Sequence, residues 1–492
     1  MRLSPRLLRA LAAPVDASWL VAFRVVYGVA MAVSMLRFIA YGWVDRFFVT
    51  PRFHFKYWGF EWVEALPGPH MHILFWVLAG LALAVAAGAL FRVAAVGFAA
   101  GLTYVQLIDV STYLNHYYLA ALLAWLLAAS PANHANSLDA WFVRRRRGGP
   151  HGSSRSAVGP LAPAPTLPAA WLYLFRFQVG VVYLFAGLAK AQSDWLLHGQ
   201  PLGIWLGAKT DLPVIGPLLT LEGVPLLMSW CGFLFDTTIV VWLLLPKTRP
   251  WAYAIVILFH VMTRLLFPIG MFPIIMALSA LVFFDPDWPR QLLLRARALR
   301  ARWGARGSRL VGESGQRTPT NAPATAPRRG SRLSPLGLTL AATYCIAQVA
   351  LPLRFLGYGG NVLWHEQGMR FSWRVMVRAK GGSTTFVVEQ PSTGRSWHVN
   401  PGLYLTGMQQ SEMSSQPDLI LQLASHIRDD MARRGLGRVV VRAESHASLN
   451  GRRSARLIDP SIDLGAITDG LGRAEWVLPG PAESPPQTRP VL

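Results

Sequence analysis

The sequence predicts a polytopic α-helical membrane protein with a small α+β extracytoplasmic domain at its C-terminal end. Three observations carry this. The 492 residues are 53% hydrophobic and only 15% charged, with a mean hydropathy of +0.34, whereas a soluble domain carries about a quarter charged residues. Apolar runs of about 20 residues recur as far as residue 355, the length that crosses a bilayer as a helix. They are continuous rather than alternating, which argues against a β-barrel. Arg and Lys gather in the connections between runs. The formal charge of +22 therefore reads as the positive-inside bias of a membrane protein and not as a nucleic-acid footprint.

About nine spans are expected, near residues 18–41, 71–90, 93–113, 117–131, 169–190, 226–246, 251–267, 269–285 and 335–355. Segment 43–69 is aromatic and polar and is expected along the membrane interface. An odd number of spans sends the two termini to opposite sides. With Arg2, Arg6 and Arg9 in the cytoplasm, the most basic connections also fall inside, including loops 143–168 and 287–333. The transmembrane domain is expected over 1–356, the extracytoplasmic domain over 357–479, and a disordered Pro-rich tail over 480–492. Residues 357–492 then lie outside, in the periplasm of a bacterium or the lumen of a eukaryote, and a bacterial plasma (inner) membrane with a periplasmic or extracellular C-terminal domain is expected. In that domain Phe371–Arg378, Ser383–Glu389 and Arg438–Arg442 read as strands, and Pro417–Arg434 as an amphipathic helix ended by Gly435. Cys231 and Cys345 sit in apolar runs, which leaves no disulfide framework. No His, Asp or Glu cluster has metal-ligand spacing, so no metal is expected.

Charges inside spans cost roughly 2.5–3.5 kcal/mol each at a helix centre and usually face a bundle interior or wet cavity. Arg24, Arg37, Arg176 and Asp236 read as a structural framework, with Arg24 or Arg176 paired to Asp236. Lys190 ends the apolar run that begins at Trp171, and an amine there is either a snorkelling anchor or a site. Gly180, Tyr183 and Gly187 share its helical face, and Asp194, one turn later, is placed to neutralise it. Asn115-His116 caps a span among Tyr113, Tyr117 and Tyr118, either as an interfacial cap or as a donor–acceptor pair. His260 lies in the apolar stretch Leu258–Met262. No phosphate-binding loop or Ser-His-Asp pattern is present.

Several stretches, in order, carry a resemblance. They are Phe23-Arg24, Leu114-Asn-His-Tyr-Tyr-Leu119, and Val182-Tyr-Leu-Phe-Ala-Gly-Leu-Ala-Lys190 followed by Asp194-Trp195. Phe259-His260, Ile269-Gly-Met-Phe272 and Asp285-Pro-Asp-Trp-Pro289 follow, then Phe371-Ser-Trp373, Asn400-Pro-Gly402 and Arg456-Leu-Ile-Asp-Pro460. Together they resemble the vitamin K-dependent γ-glutamyl carboxylase family and the wider horizontally transferred transmembrane domain family. The resemblance implies an enzyme that oxygenates vitamin K hydroquinone to its epoxide with O2 and uses the energy to add CO2 to the γ-carbon of a protein Glu. Lys190 matches the family's base towards the quinol, and His116 matches a histidine that supports later steps. Asn115, Tyr183, His260, Met271, Phe272, Trp373 and Arg456 are the residues expected around the bound quinol and the Glu-containing protein or peptide. The implied chemistry is consistent with side-chain basicity, since even Arg, at about 13.8, cannot deprotonate a carbon beside a carboxylate directly. A desolvated lysine can deprotonate a quinol, and an apolar pocket open to lipid can hold its tail.

This chain departs from the resembled pattern at particular points. Ala189-Lys190 stands where vertebrate members have two lysines, and Met369 stands where they have a tyrosine tied to carboxylation. The outer domain is also shorter. A quinol oxygenase without peptide carboxylation is the alternative enzyme, and a transporter or membrane scaffold is the non-enzyme one. The chain shows no internal repeat of the kind transporters carry.

Overall fold

The computed structural model describes residues 4–133, 137–147, 165–307 and 333–486. Much of the two basic loops expected over 143–168 and 287–333 lies outside the described residues. A helix stands at each expected span. These are α1 (Ser18–Ala40), α2 (Gly68–Ala87), α3 (Phe91–Leu107), α4 (Asn115–Ala129), α5 (Ala169–Lys190), α6 (Val224–Leu244), α7 (Arg249–Leu266), α8 (Phe272–Ser279) and α9 (Pro335–Leu353). Among the described residues five helices are long and apolar enough to cross a membrane by length and composition: α1, α2, α5, α6 and α9. Helix α3 and the stretch Phe272–Phe283 are apolar but shorter.

The bundle core runs through Phe23, Tyr27, Met31, Phe75, Phe98, Leu119, Phe175 and Phe283, all buried. Helices α1 and α2 touch backbone to backbone, because a Cβ on Gly28 would stand 2.6 Å from the Ala82 carbonyl oxygen. Small residues permit this approach where apolar driving force between helices is weak. Outward faces are apolar, with Trp76, Val93, Leu188, Leu258 and Leu340 all exposed, as lipid-facing positions should be. Helix α9 lies against the rest along a thin seam, tied by the Tyr344 hydroxyl to Gln178 Oε1 at 2.5 Å.

The second core belongs to the C-terminal domain, called the outer domain after its expected position. Its antiparallel sheet has the order β2-β1-β3-β4, where β1 is Lys380–Gln390, β2 Arg395–Val399, β3 Val440–Leu449 and β4 Ala455–Arg456. Alternate residues Phe386 and Val388, with Val441, Ala443 and Ala447, face one side and are buried. That period of two is what a half-buried strand requires. Helix α10 (Pro417–Arg433) covers this face with Ile420, Leu423, Ala424 and Ile427. Gly435, just beyond it, takes φ +83, which stops the helix as expected.

Three expectations are corrected. Phe371–Arg378 is not a strand. Phe371, Trp373 and Met376 take φ of 61, 58 and 54, and the chain turns because Trp373 is drawn into the bundle to stack on Tyr118 at 4.9 Å. Segment 43–69 does not only skim an interface. Phe53, Phe55 and Tyr57 join the outer core, and Lys56 and Gln422 exchange hydrogen bonds of 2.8 and 2.9 Å. Residues 480–486, expected in a disordered tail, run along the domain, where Gln200 Nε2 donates to the Pro486 carbonyl at 3.0 Å.

Buried polar contacts fasten the two cores. Asp194 does not neutralise Lys190. It receives Arg452 Nη1 and Nη2 at 2.6 and 2.7 Å and Asn450 Nδ2 at 2.8 Å. Asp109 accepts from Gln409 at 2.8 Å and lies 3.2 Å from His54 Nδ1. Burial alone would raise the Asp194 carboxyl, but the hydrogen bonds from Arg452 and Asn450 and the Arg452 charge outweigh it and hold it below the usual carboxylate range. A depressed folded value stabilises above the unfolded pKa and is lost as pH falls through the folded one. Wild type is therefore expected to keep this contact from pH 7 down to about 4. Asp194→Asn should lose it at neutral pH, at about 3 kcal/mol. Thermal unfolding and faster hydrogen exchange around Leu449–Arg452 at pH 7 check this, and unchanged exchange in the variant would contradict it.

Candidate functional site

Lys190 closes α5 and is buried. Its Nζ donates to Asp236 Oδ2 on α6 at 2.7 Å and to the Ala186 carbonyl at 3.1 Å. The Trp195 ring stands 5.3 Å from the nitrogen. Asp236 is thus paired with Lys190 and not with Arg24 or Arg176. Those arginines reach carbonyls at helix ends instead. Arg24 donates to Ala132 O at 2.8 Å, and Arg176 to Val282, Phe283 and Phe284 at 2.8–3.2 Å. A guanidinium near a helix end finds exposed carbonyls within reach. The amine at the foot of α5 is left as the cation next to Asp236.

Gly187 makes the pairing geometry attainable. A Cβ there would sit 2.6 Å from Thr237 Cγ2 and 2.9 Å from the Thr237 nitrogen. Its absence lets α5 and α6 close until Lys190 meets Asp236. Tyr183, one turn earlier, shares a 3.0 Å hydrogen bond with His260 Nε2. With the phenol donating, the ring hydrogen sits on Nδ1, which has no partner among the described residues.

These groups line a narrow chamber of about 90 Å³, otherwise walled by apolar side chains including Val182, Met228, Phe259, Phe267 and Met276. Ile269, Phe272, Val375 and Met376 separate it from an aromatic cavity of about 540 Å³. Asn115 and His116 line that second cavity with Phe38, Trp43 and Phe47. The Phe272 ring lies 6.2 Å from the ring of His116 and 6.4 Å from that of His260. The two histidines therefore belong to neighbouring spaces.

A third cavity, about 720 Å³, opens between bundle and outer domain and is polar. Glu366, Arg370, Arg374, Arg378, Lys380 and Glu412 line it. Glu366 Oε1 accepts from Arg378 at 2.9 Å and from Lys380 at 3.1 Å, and Arg370 pairs with Asp418. Arg374 lies over the Phe355 ring at 4.1 Å, and its Nε has no partner among the described residues. Burial pulls the Lys380 ammonium down to about 8 against the Glu366 charge, and lowers Arg374 to about 10. Burial also raises the Glu412 carboxyl above its usual range.

The expected site residues thus divide. Lys190, Tyr183, His260 and Phe272 share the narrow chamber, while Asn115 and His116 line the adjoining cavity. Met271 is packed in the bundle core, and Trp373, fully buried, packs there against Tyr118. Neither lines any of the three cavities. Arg456 is exposed on the edge strand β4 and lines none of them either. Sequence reasoning missed Arg374, Met376 and Lys380. The signal was the basic spacing Arg370, Arg374, Arg378, Lys380, which a strand reading of the same stretch concealed. Among the described residues no group of His, Cys, Asp or Glu is gathered to hold a metal ion.

The HTTM domain model matches residues 12–288, and the model for the vitamin K-dependent gamma-carboxylase, lumenal domain, matches residues 333–483. No solved structure matches the chain.

Gly187→Ala is expected to push α5 from α6, at about 1–3 kcal/mol for overpacking, and to separate Lys190 from Asp236. A lower midpoint of thermal unfolding together with faster reductive methylation of Lys190 checks this. A variant as stable as wild type with Lys190 equally protected would show that the close approach is dispensable.

Proposed function

Because the chain belongs to the vitamin K-dependent carboxylase family, we propose that it is an integral-membrane carboxylase/epoxidase, coupling oxygenation of a vitamin K hydroquinone to addition of CO2 to a protein Glu. The observation that carries this reading is the buried Lys190–Asp236 pair. It lies in an apolar chamber one wall away from an aromatic cavity and from a charged one.

The residues fit the quinol. Phe272, Ile269 and Val375 offer flat apolar walls, and Phe38, Trp43 and Phe47 a greasy cavity for an isoprenoid tail. His260, whose Nδ1 has no partner among the described residues, and Lys190 offer polar contacts at the chamber. When bound, the quinol and O2 supply a base far stronger than any side chain.

Lys190 as an ammonium is no base. A proton moving from Nζ to Asp236 Oδ2, across their 2.7 Å hydrogen bond, leaves a neutral amine beside a neutral carboxyl. The Nζ lone pair then takes a hydroxyl proton from the quinol, and the new ammonium stays next to the oxygen that lost it. Asp236 keeps the displaced proton throughout, so the pair as a whole gains one proton. Arg374 is the side chain best placed to hold a substrate carboxylate, because it lines the polar cavity with an unpaired Nε. The basic connections assigned to the cytoplasm support an outer domain, and hence a peptide, on the other side.

One observation favours a narrower activity. Met369, standing where the resembled family carries a tyrosine, lines the polar cavity and offers no hydroxyl there. Purified protein given reduced vitamin K, a Glu-containing peptide and labelled CO2 separates the readings. Epoxide with fixed label supports the carboxylase. Epoxide alone supports a quinol oxygenase, and neither product rejects both. Lys190→Ala and Asp236→Asn are each expected to lower epoxide formation by about 10²-fold or more, the size of a general-base contribution. Small added amines should partly restore the first variant only. Full epoxide formation by Lys190→Ala would sink the base assignment.

A further inference from the structure

The three cavities meet at one side chain. Met376 lines the Lys190 chamber, the aromatic cavity and the polar cavity, and no other described residue lines all three. Towards the aromatic cavity it shares the wall with Ile269, Phe272 and Val375. Towards the polar cavity it is the one residue common to both linings. The spaces on either side of it are chemically opposed. One is about 720 Å³, rimmed by Arg and Glu, with room for many waters; the other is about 90 Å³ and apolar except for a few polar groups.

The backbone fixes where this side chain stands. Met376 takes φ 54, a left-handed conformation that a side chain other than Gly adopts only when its surroundings impose it. The imposing neighbours are Trp373 and Val377, both fully buried, one in the bundle core and one in the outer core. Met376 itself packs against the apolar cluster of Trp195, Leu202, Leu206 and Phe267. An unbranched thioether with three rotatable bonds fills such a gap and can still be pushed aside.

We propose that Met376 is the partition that keeps water of the polar cavity out of the Lys190 chamber, and so decides whether the base made there takes its proton from a peptide or from water. This rests on the function proposed above. In the coupled course a Glu Cγ–H bond breaks, its proton passes to the base supplied by the oxygenated quinol, and the electron pair left on Cγ forms the new bond to the carbon of CO2. In the uncoupled course a water O–H bond breaks, the proton passes to the same base, and no carbon–carbon bond forms. Met376 is therefore a positioning residue that sets the ratio of the two products.

Full-length protein in lipid nanodiscs carrying Met376→Ala or Met376→Leu tests this with two readouts. The Ala variant is expected to fix about tenfold less labelled CO2 per epoxide formed than wild type, and the Leu variant, which keeps the bulk, to retain the wild-type ratio. An unchanged ratio in the Ala variant, or an equal loss in the Leu variant, overturns the partition. The second readout needs no turnover. Lysines are reductively methylated with formaldehyde and cyanoborohydride and followed by mass spectrometry. Lys190 is expected to label about fivefold faster or more in Met376→Ala than in the other two proteins, because polar reagent then enters from the outer cavity. Lys380, in front of the partition, should label equally in all three. Equal Lys190 labelling throughout overturns the partition whether or not epoxide is made. Protection of Lys190 in a wild type that makes no epoxide refutes the proposed function and leaves the partition standing.

Discussion

A carboxylate and an ammonium 2.7 Å apart, both buried between two apolar helices, set the terms for the rest of this molecule. Neither charge is tolerable alone at that place. Asp236 therefore fixes where Lys190 ends, Gly187 fixes how close α5 and α6 come, and the helices that follow must close over what remains. The walls around the pair are mostly apolar side chains such as Val182, Phe259 and Met276, and such surroundings strengthen the attraction between its two charges. In water the same pair would be a weak surface contact.

Other buried charges find their partners elsewhere. Arg24 and Arg176 are used on helix-end carbonyls, and Asp194 is used on Arg452 to hold the outer domain. The charged lining of the polar cavity comes chiefly from the outer domain's own chain, at Glu366, Arg374, Arg378 and Lys380. This division sets a space lined by many charges beside one whose charged lining is the Lys190–Asp236 pair.

Much of the helical half was legible because a span is specified by length and hydropathy alone, and a helix stands at each expected place. The amphipathic helix Pro417–Arg433 and the strand around Ser383–Glu389 were legible for a similar reason, since their period is local. What could not be read depended on contacts between distant residues. Phe371–Arg378 has the composition of a strand, yet the pull of Trp373 towards Tyr118 bends it through three left-handed residues. Asp236 could not be assigned to Lys190, 46 residues away, because nothing local tells which of several cations will be nearest. Asn115 and His116 were recognised together with Lys190 through the resemblance, but not that Phe272 puts His116 and the lysine in separate spaces.

The cavities are walled by chain from both ends of the sequence: Ser111–His116 and Ile269–Phe272 from the bundle, Glu366–Lys380 from beyond α9. The late segment takes its bent form only where Tyr113 and Tyr118 already stand, since Phe371 N donates to the Tyr113 hydroxyl at 2.8 Å. During synthesis the helices can thus be inserted and packed while the reaction space is still without a roof. A chain ending before Glu366 would leave the lysine chamber and the aromatic cavity open on the side that Val375 and Met376 close.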